Sequence, residues 1–267
     1  MFSVLMAIYR NDNPAWLRES IDSLLNQTLK ASEILIVKDG PLTEELETLL
    51  ASYKDPSLVY LPLEKNGGLA MALRQGIEAC KNELIARMDS DDVCHPDRFR
   101  LQYETFQQHP EVSLVGTSVI EFEHTIEDAT FIRELPEGGP ELLKYGKHRS
   151  PTNHATVMYR KSAVLAAGNY QNFLWNEDYH LWARMIQKGF LFKNIKPALL
   201  YVRGGQSMYR RRGGIRYAIQ DIKLQKYFYK IGYANILDVT INLATRLPVR
   251  LFPNTVRQFV YEKFLRK

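Results

Sequence analysis

Residues 84–92 read LIARMDSDD, a mostly apolar run of strand length followed by three carboxylates within four positions. Like charges packed this closely repel, so a bound cation is the natural means of keeping all three ionised. Mg²⁺ or Mn²⁺ takes one or two protein carboxylates together with substrate phosphates, which suits a short acidic stretch. A calcium loop fits less well, because Pro96 interrupts it and neither its glycine nor its closing glutamate falls at the required spacing. Taken alone, the stretch has an equally good structural account: an aspartate caps a following helix by accepting backbone N–H bonds.

The sequence on either side supplies the frame. SVLMAIY at 3–9 and EILIV at 33–37 are apolar runs of strand length, and strands are also expected at 58–61 and 84–88. Between them lie helical patterns: Trp16, Ile21, Leu24 and Leu25 after Asn13-Pro14, then Leu46, Leu49 and Leu50, then residues 69–80. Strand and helix alternating in this way predict an α/β domain with a parallel sheet covered on both faces. Ligands of such sheets bind at the carboxyl ends of the strands. The four exits here are Tyr9-Arg10-Asn11-Asp12, Lys38-Asp39-Gly40, Glu64 to Gly68, and Asp89 to Asp92, all polar or acidic. Beyond residue 100 the pattern predicts a helix near 97–108, a strand at 112–120, turns at 136–140 and a helix from about Asn176. The last sixty residues read as helical, with Pro248 and Pro253 as interruptions.

Composition narrows the classes of partner. At 267 residues and 45% hydrophobic, the chain is long enough for a substantial core, and disorder is excluded as its default state. Cys80 and Cys94 have no disulfide-scaffold spacing and read as small filler residues. Arg10 and Asn11 break the N-terminal run before a signal core forms, and no window offers the roughly 20 apolar residues of a spanning helix. A cytoplasmic protein is expected. Residues 1–202 hold 21 Lys and Arg against 27 Asp and Glu, whereas residues 203–267 hold 14 against 3. The total of +5 thus conceals a tail of +11, whose partners are polyanions such as acidic headgroups or phosphorylated ligands. Within that tail, Val256, Phe259, Val260 and Phe264 recur at helical spacing among basic residues. This describes an amphipathic helix lying in a lipid interface, or one docking on the domain or a second subunit.

Five segments are VLMAIYRND at 4–12, ILIVKDG at 34–40, EKNGGLAMALRQGI at 64–77, MDSDDVCHPDR at 88–98 and WNEDYHLWARM at 175–185. Their order and spacing resemble the inverting glycosyltransferases of family 2, particularly bacterial members that build capsule, exopolysaccharide or lipopolysaccharide. The resemblance implies the GT-A fold, a Rossmann-like α/β domain with a mostly parallel central sheet and flanking helices. It places the catalytic domain at 1–215, with a nucleotide-binding half at 1–100 and an acceptor-binding half at 101–215. A basic amphipathic helical extension follows at 216–267.

The same resemblance assigns roles. Asp39 matches the aspartate that hydrogen-bonds the nucleobase, usually uracil, and Asn66, Gly67 and Gly68 bring backbone close to the nucleotide. Ala7, Tyr9, Arg10, Arg74, Asp89 and Ser90 belong to the donor side. Asp89 and Asp91 match the DxD pair that meets ribose and metal, with Asp92 a further metal ligand, so Mn²⁺ or Mg²⁺ is the implied cofactor. Asp178 matches the general base, and Glu177 orients it or contacts the acceptor. The implied partners are a nucleotide-diphosphate sugar, UDP-linked in preference, and a glycan or lipid-linked acceptor at a membrane surface, without nucleic acid. Lys38 and Arg74 depart from the common pattern, which leaves the nucleotide's identity open.

Other readings remain at this point. A nucleotidyltransferase shares the sheet but calls for a glycine-rich loop after the first strand, where Tyr9-Arg10-Asn11-Asp12 has no glycine. A nucleic-acid binder accounts for the tail and not for the acids, while a non-catalytic nucleotide-sugar-binding module accounts for both. His154 lines a pocket or is a satisfied core histidine. Trp175 stacks on a sugar, whereas Trp182 suits helix packing. The run at 204–214, with three arginines between glycines, is a phosphate-closing loop or a plain exposed one.

Overall fold

The computed structural model describes residues 1–123, 125–129, 131–204 and 213–252. Most of the 204–214 loop and the apolar stripe from Val256 onward lie outside the described residues. The first hundred residues alternate as read: β1 (Phe2–Ile8), α1 (Pro14–Leu25), β2 (Glu33–Lys38), α2 (Glu44–Ser52), β3 (Leu58–Pro62), α3 (Leu69–Ala79) and β4 (Leu84–Met88). Strands β3, β2, β1 and β4 pair in parallel in that order. Strand β1 is apolar at nearly every position because both its faces are covered.

The second half completes a nine-stranded sheet in a mixed arrangement. It comprises β5 (Val93–Cys94), α4 (Arg98–Gln108), β6 (Val112–Phe122), β7 (Phe131–Arg133), α5 (Gly139–Gly146), β8 (Met158–Arg160), α6 (Lys161–Ala166), α7 (Glu177–Gln187) and β9 (Leu191–Arg203). Strand β8 joins the halves, antiparallel to both β4 and β6, and β6 runs parallel to β9. Two helices end the described chain, α8 (Ile215–Lys230) and α9 (Ile236–Leu251).

One apolar cluster fills the side of the sheet under α1, α2 and α4, with Leu17, Leu46 and Phe99 among its members, and a second fills the side under α3, α6 and α7. Helix α3 approaches β1 closely at Gly76, where a Cβ would sit 2.3 Å from a methyl of Leu5. A third cluster joins α7 to the terminal hairpin through Tyr179, Ala183, Leu224, Phe228 and Tyr233. Cys80 and Cys94 are free and buried, and burial pushes the Cys94 thiol up to about 11, consistent with inert filler.

Two local expectations need correction. The acidic stretch does not cap a helix: β5 follows it, and α4 begins only after Asp97. Pro248 does not end the last helix, which continues to Leu251. A proline removes one helical N–H bond, but this final turn is held from outside, where Gly214 N–H donates to the Arg250 carbonyl at 2.9 Å.

Candidate active site

Pairing β1 with both β2 and β4 brings three of the strand exits side by side, and β3 adds the fourth. A cleft of about 390 Å³ opens there, lined by Tyr9, Arg10, Asn11, Asp39, Gly40, Pro41 and Asn66. A larger hollow of about 820 Å³ between α1 and α2, lined by Arg18, Glu44 and Thr48 among others, touches none of the strand exits, whereas the smaller cleft is lined by residues of three of them. The smaller cleft is therefore the one the chemistry selects.

Asp39 is buried at the end of β2, and its carboxylate accepts hydrogen bonds from Gly67 N–H at 2.7 Å and Gly68 N–H at 3.0 Å. The Asn66 amide donates to the Asp39 carbonyl at 3.1 Å. Gly40 completes this turn with φ +83°, where a Cβ would lie 2.7 Å from the Asn66 nitrogen. Asp39 thus shapes the glycine loop, and each of its oxygens retains a lone pair for a further donor. Ala7, next to the end of β1, pairs with Val37 of β2. Arg74 sits farther along α3, exposed and paired with Glu78 at 3.6 Å.

Carboxylate oxygens of Asp89, Asp91 and Asp92 lie within 4.8 Å of one another. The buried Arg87 guanidinium grips Asp89 with two nitrogens, one at 2.5 Å from Oδ2. Arg203, at the end of β9, donates its backbone N–H to Asp92 at 3.0 Å and its side chain to the Asp91 carbonyl at 3.2 Å and to Glu19 at 2.5 Å. Its guanidinium also lies over the rings of Trp16 and Phe122. Burial, with Asp89 and Asp91 adding to it, holds the Asp92 carboxyl well above the usual carboxylate range. Asp12 is raised to about 6 by burial first and by Asp91 and Asp89 next, against hydrogen bonds from Tyr9 N–H and Ser90. This crowd of hard oxygen donors, two of them held against ionisation, fits a divalent cation.

Helix α7 delivers the other acids. Asn176 precedes Glu177 and Asp178 in its first turn. Burial first, and Asp178 second, raise the Glu177 carboxyl to about 7, while Arg87 lowers it and Asp89 raises it further. Glu177 therefore responds to the charges at the end of β4. Trp175 has φ +65°, a strained backbone for an aromatic residue, and its ring stacks on Tyr217 of α8 at 4.9 Å and 6°. Arg250 covers the Tyr217 ring at 4.2 Å. His154 Nε2 is 2.7 Å from the Tyr170 hydroxyl, and desolvation and Arg87 hold the imidazole neutral well below its usual range. The side chain is thus a partnered histidine behind the Arg87–Asp89 pair. Trp182 is fully buried, as its helical spacing implies.

Residues 3–213 match the family described as Glycosyl transferase family 2. The chain belongs to this family. As a family 2 glycosyltransferase it is 38% identical over 264 residues to the amylovoran biosynthesis glycosyltransferase AmsE of Erwinia amylovora, covering 98% of each chain. It is 37% identical over 267 residues to the UDP-Gal:alpha-D-GlcNAc-diphosphoundecaprenol beta-1,3-galactosyltransferase of Escherichia coli, covering all of this chain and 97% of that one. The GT-A fold is seen in solved structures. S. aureus TarS 1–349 in complex with UDP-GlcNAc aligns with TM-score 0.68 at 18% identity, over 92% of this chain and 71% of that one. The mannosyltransferase PcManGT from Pyrobaculum calidifontis, in complex with GDP-Man and Mn2+, aligns with TM-score 0.64 at 12% identity, over 98% and 79%. The nucleic-acid reading falls away with this membership. Among the described residues, no helix of this glycosyltransferase is long and apolar enough to cross a membrane.

Three residues near the acids escaped the sequence reading of the site: Asp12, Arg87 and Arg203. Asp12 sits in an exit already singled out, and its contact with the acids was the missing information. Arg87 carried a signal, since a lone cation inside an apolar strand needs a buried partner. Arg203 had none, because its contacts span more than a hundred residues.

The raised Glu177 carboxyl makes stability depend on pH. The folded state holds this proton up to about 7 while the unfolded chain releases it near 4.5. The stabilisation is complete below that lower value and is lost as pH rises through about 7. Thermal unfolding of Glu177→Gln is expected to match the parent at pH 5 and to exceed it at pH 8, by up to about 3 kcal/mol at about 1.4 kcal/mol per pH unit. Equal differences at the two pH values would show that Glu177 ionises as an exposed acid.

Proposed function

We propose that the enzyme transfers a sugar, with inversion, from a nucleotide-diphosphate donor to a hydroxyl of a lipid-linked glycan during assembly of a bacterial surface polysaccharide. A UDP-linked donor is favoured, by analogy with the Escherichia coli relative, whose name gives a UDP-sugar and a diphosphoundecaprenol acceptor. The observation that best supports the reading is the acidic triad at the exit of β4, in a family 2 glycosyltransferase whose β2 exit holds the Asp39–glycine loop; Arg87 and Asp89 also act on the Glu177 carboxyl, next to Asp178.

In this reading residues 1–100 hold the donor and residues 101–215 the acceptor. The glycine loop, shaped by Asp39, lets backbone approach the nucleotide, and Asp39 keeps lone pairs for the base. Asp89, Asp91 and Asp92 would hold Mn²⁺ or Mg²⁺, which when bound neutralises charge on the diphosphate. Arg87 holds the Asp89 carboxylate in place, and Arg203 ties the Asp91 carbonyl to α1 through Glu19. Asp178 takes the proton of the acceptor hydroxyl as its oxygen bonds to the sugar C1, and the bond from C1 to the diphosphate breaks. The nucleoside diphosphate leaves with that electron pair.

A panel of UDP- and GDP-sugars with Mn²⁺, read by thermal shift and by release of nucleoside diphosphate, tests the proposal. A UDP-sugar is expected to give the largest stabilisation and, with a lipid-diphosphate-linked sugar as acceptor, the release. A panel in which no nucleotide sugar stabilises the fold would overturn it.

A further inference from the structure

Helices α8 and α9 form an antiparallel hairpin. Gly214 bonds Arg250 at one end, Asn242 donates to Gln225 at 2.8 Å in the middle, and Phe228 packs on Tyr233 at the turn. The hairpin buries Tyr217, Leu224, Gln225, Phe228, Val239 and Asn242. Its opposite side carries large apolar residues exposed to an unusual degree: Ile215 at 70%, Ile236 and Leu237 at 64%, and Leu251 at 59%. Isolated exposed apolar residues are ordinary, but several on one helical hairpin mark an interaction surface.

Charge identifies the partner. Residues 213–252 contain only two acids, and both turn inward: Asp221 is fully buried against Arg246 and Arg250, and Asp238 faces Lys147. The exposed ionic groups of the hairpin are Arg216, Lys223, Lys226 and Lys230. An ordinary solvated surface intersperses both signs. Cations without acids on α8, beside exposed Ile and Leu residues mostly on α9, are the chemistry of a hairpin face seated in an anionic lipid interface. The end bearing Ile215 and Leu251 is also the end at which Tyr217 stacks on Trp175, two residues from Glu177.

We infer that the outward face of the α8–α9 hairpin docks on an anionic membrane and sets the acceptor side of the cleft at the lipid surface. The docking stands on the hairpin's own chemistry. It shares with the proposed function only the lipid-linked acceptor.

Co-sedimentation of the full chain with phosphatidylglycerol-containing vesicles and with pure phosphatidylcholine vesicles tests the inference. Strong binding to the first and on the order of tenfold weaker binding to the second are expected. Ile215→Glu combined with Leu251→Glu, and separately Lys223→Glu with Lys226→Glu and Lys230→Glu, should each lower binding to anionic vesicles by tenfold or more. Ile132→Glu, an exposed apolar site on β7, should bind as the parent does. Two designs of opposite chemistry guard against a variant that fails to fold. Transfer to a water-soluble acceptor should persist in both, which separates membrane docking from the transfer reaction. Parent-like vesicle binding by both variants, equal binding to neutral vesicles, or a concentration-dependent dimer that both variants abolish would overturn the inference.

Discussion

Asp178→Asn is expected to bind the nucleotide sugar within a few-fold of the parent and to lose transfer by about 10²–10⁴-fold, the usual contribution of a positioned general base. Asparagine keeps the shape of the first turn of α7 and removes only the capacity to take a proton. The Asp178 charge is one of the causes that raise the Glu177 carboxyl, after burial. With the Asp178 charge gone, one cause of the raised Glu177 carboxyl disappears with it. The pH–rate profile of the residual activity should therefore move to lower pH. Glu177→Gln should cost less, because the proposed base, Asp178, survives. Titration of donor binding alongside single-turnover transfer separates the outcomes. A fall in donor affinity as large as the fall in transfer would make Asp178 a structural residue and return the base to its neighbour.

The parallel half of the fold was legible because each strand there is a short apolar run with a polar exit, and every exit carries a residue of the proposed site. In the mixed half only α4, β6 and α7 were legible, at 97–108, 112–120 and from about Asn176. Strand β9 reads LFKNIKPALLYVR, and Pro197 argues against a strand until the register is seen to shift between Ile195 and Ala198, where the proline lies off the ladder. Strand β8 has three residues and owes its place to partners on both sides. Legibility of the site followed the same division. Asp39, the glycines and the acidic triad are local sequence signals, whereas the grip of Arg203 on Asp91 and Asp92 exists only once β9 has been laid beside β6. The basic tail was legible in composition, and its stripe from Val256 lies outside the described residues. Arg246 and Arg250 pair with a buried aspartate of their own hairpin, and Val239 of α9 packs in the cluster that includes Tyr179 and Ala183 of α7.

Asp221→Ala is expected to weaken docking of that hairpin by about 3 kcal/mol, since removing one member of a buried ion pair leaves the other uncompensated. Asp221 has no exposure, and the two arginines it holds are 18% and 12% exposed, so water recovers only part of the loss. Opening should be local, because the sheet and the first two apolar clusters share no residue with this contact. Hydrogen exchange should therefore quicken by roughly two orders of magnitude across α8 and α9 and stay unchanged in β1, β2 and β4, at about 1.4 kcal/mol per tenfold step. Replacing Asp221, Arg246 and Arg250 together by Leu, Met and Met should restore most of the protection, because the packing survives without the charges. The consequence for catalysis follows from Trp175, whose strained backbone is held by the ring of Tyr217 beneath Arg250. Once the hairpin opens, the residue two places before Glu177 loses that support, and transfer should fall while donor binding at the strand exits persists. Unchanged exchange in α8 and α9 would show that apolar packing alone seats the hairpin; unchanged transfer with faster exchange would uncouple the stack from the base.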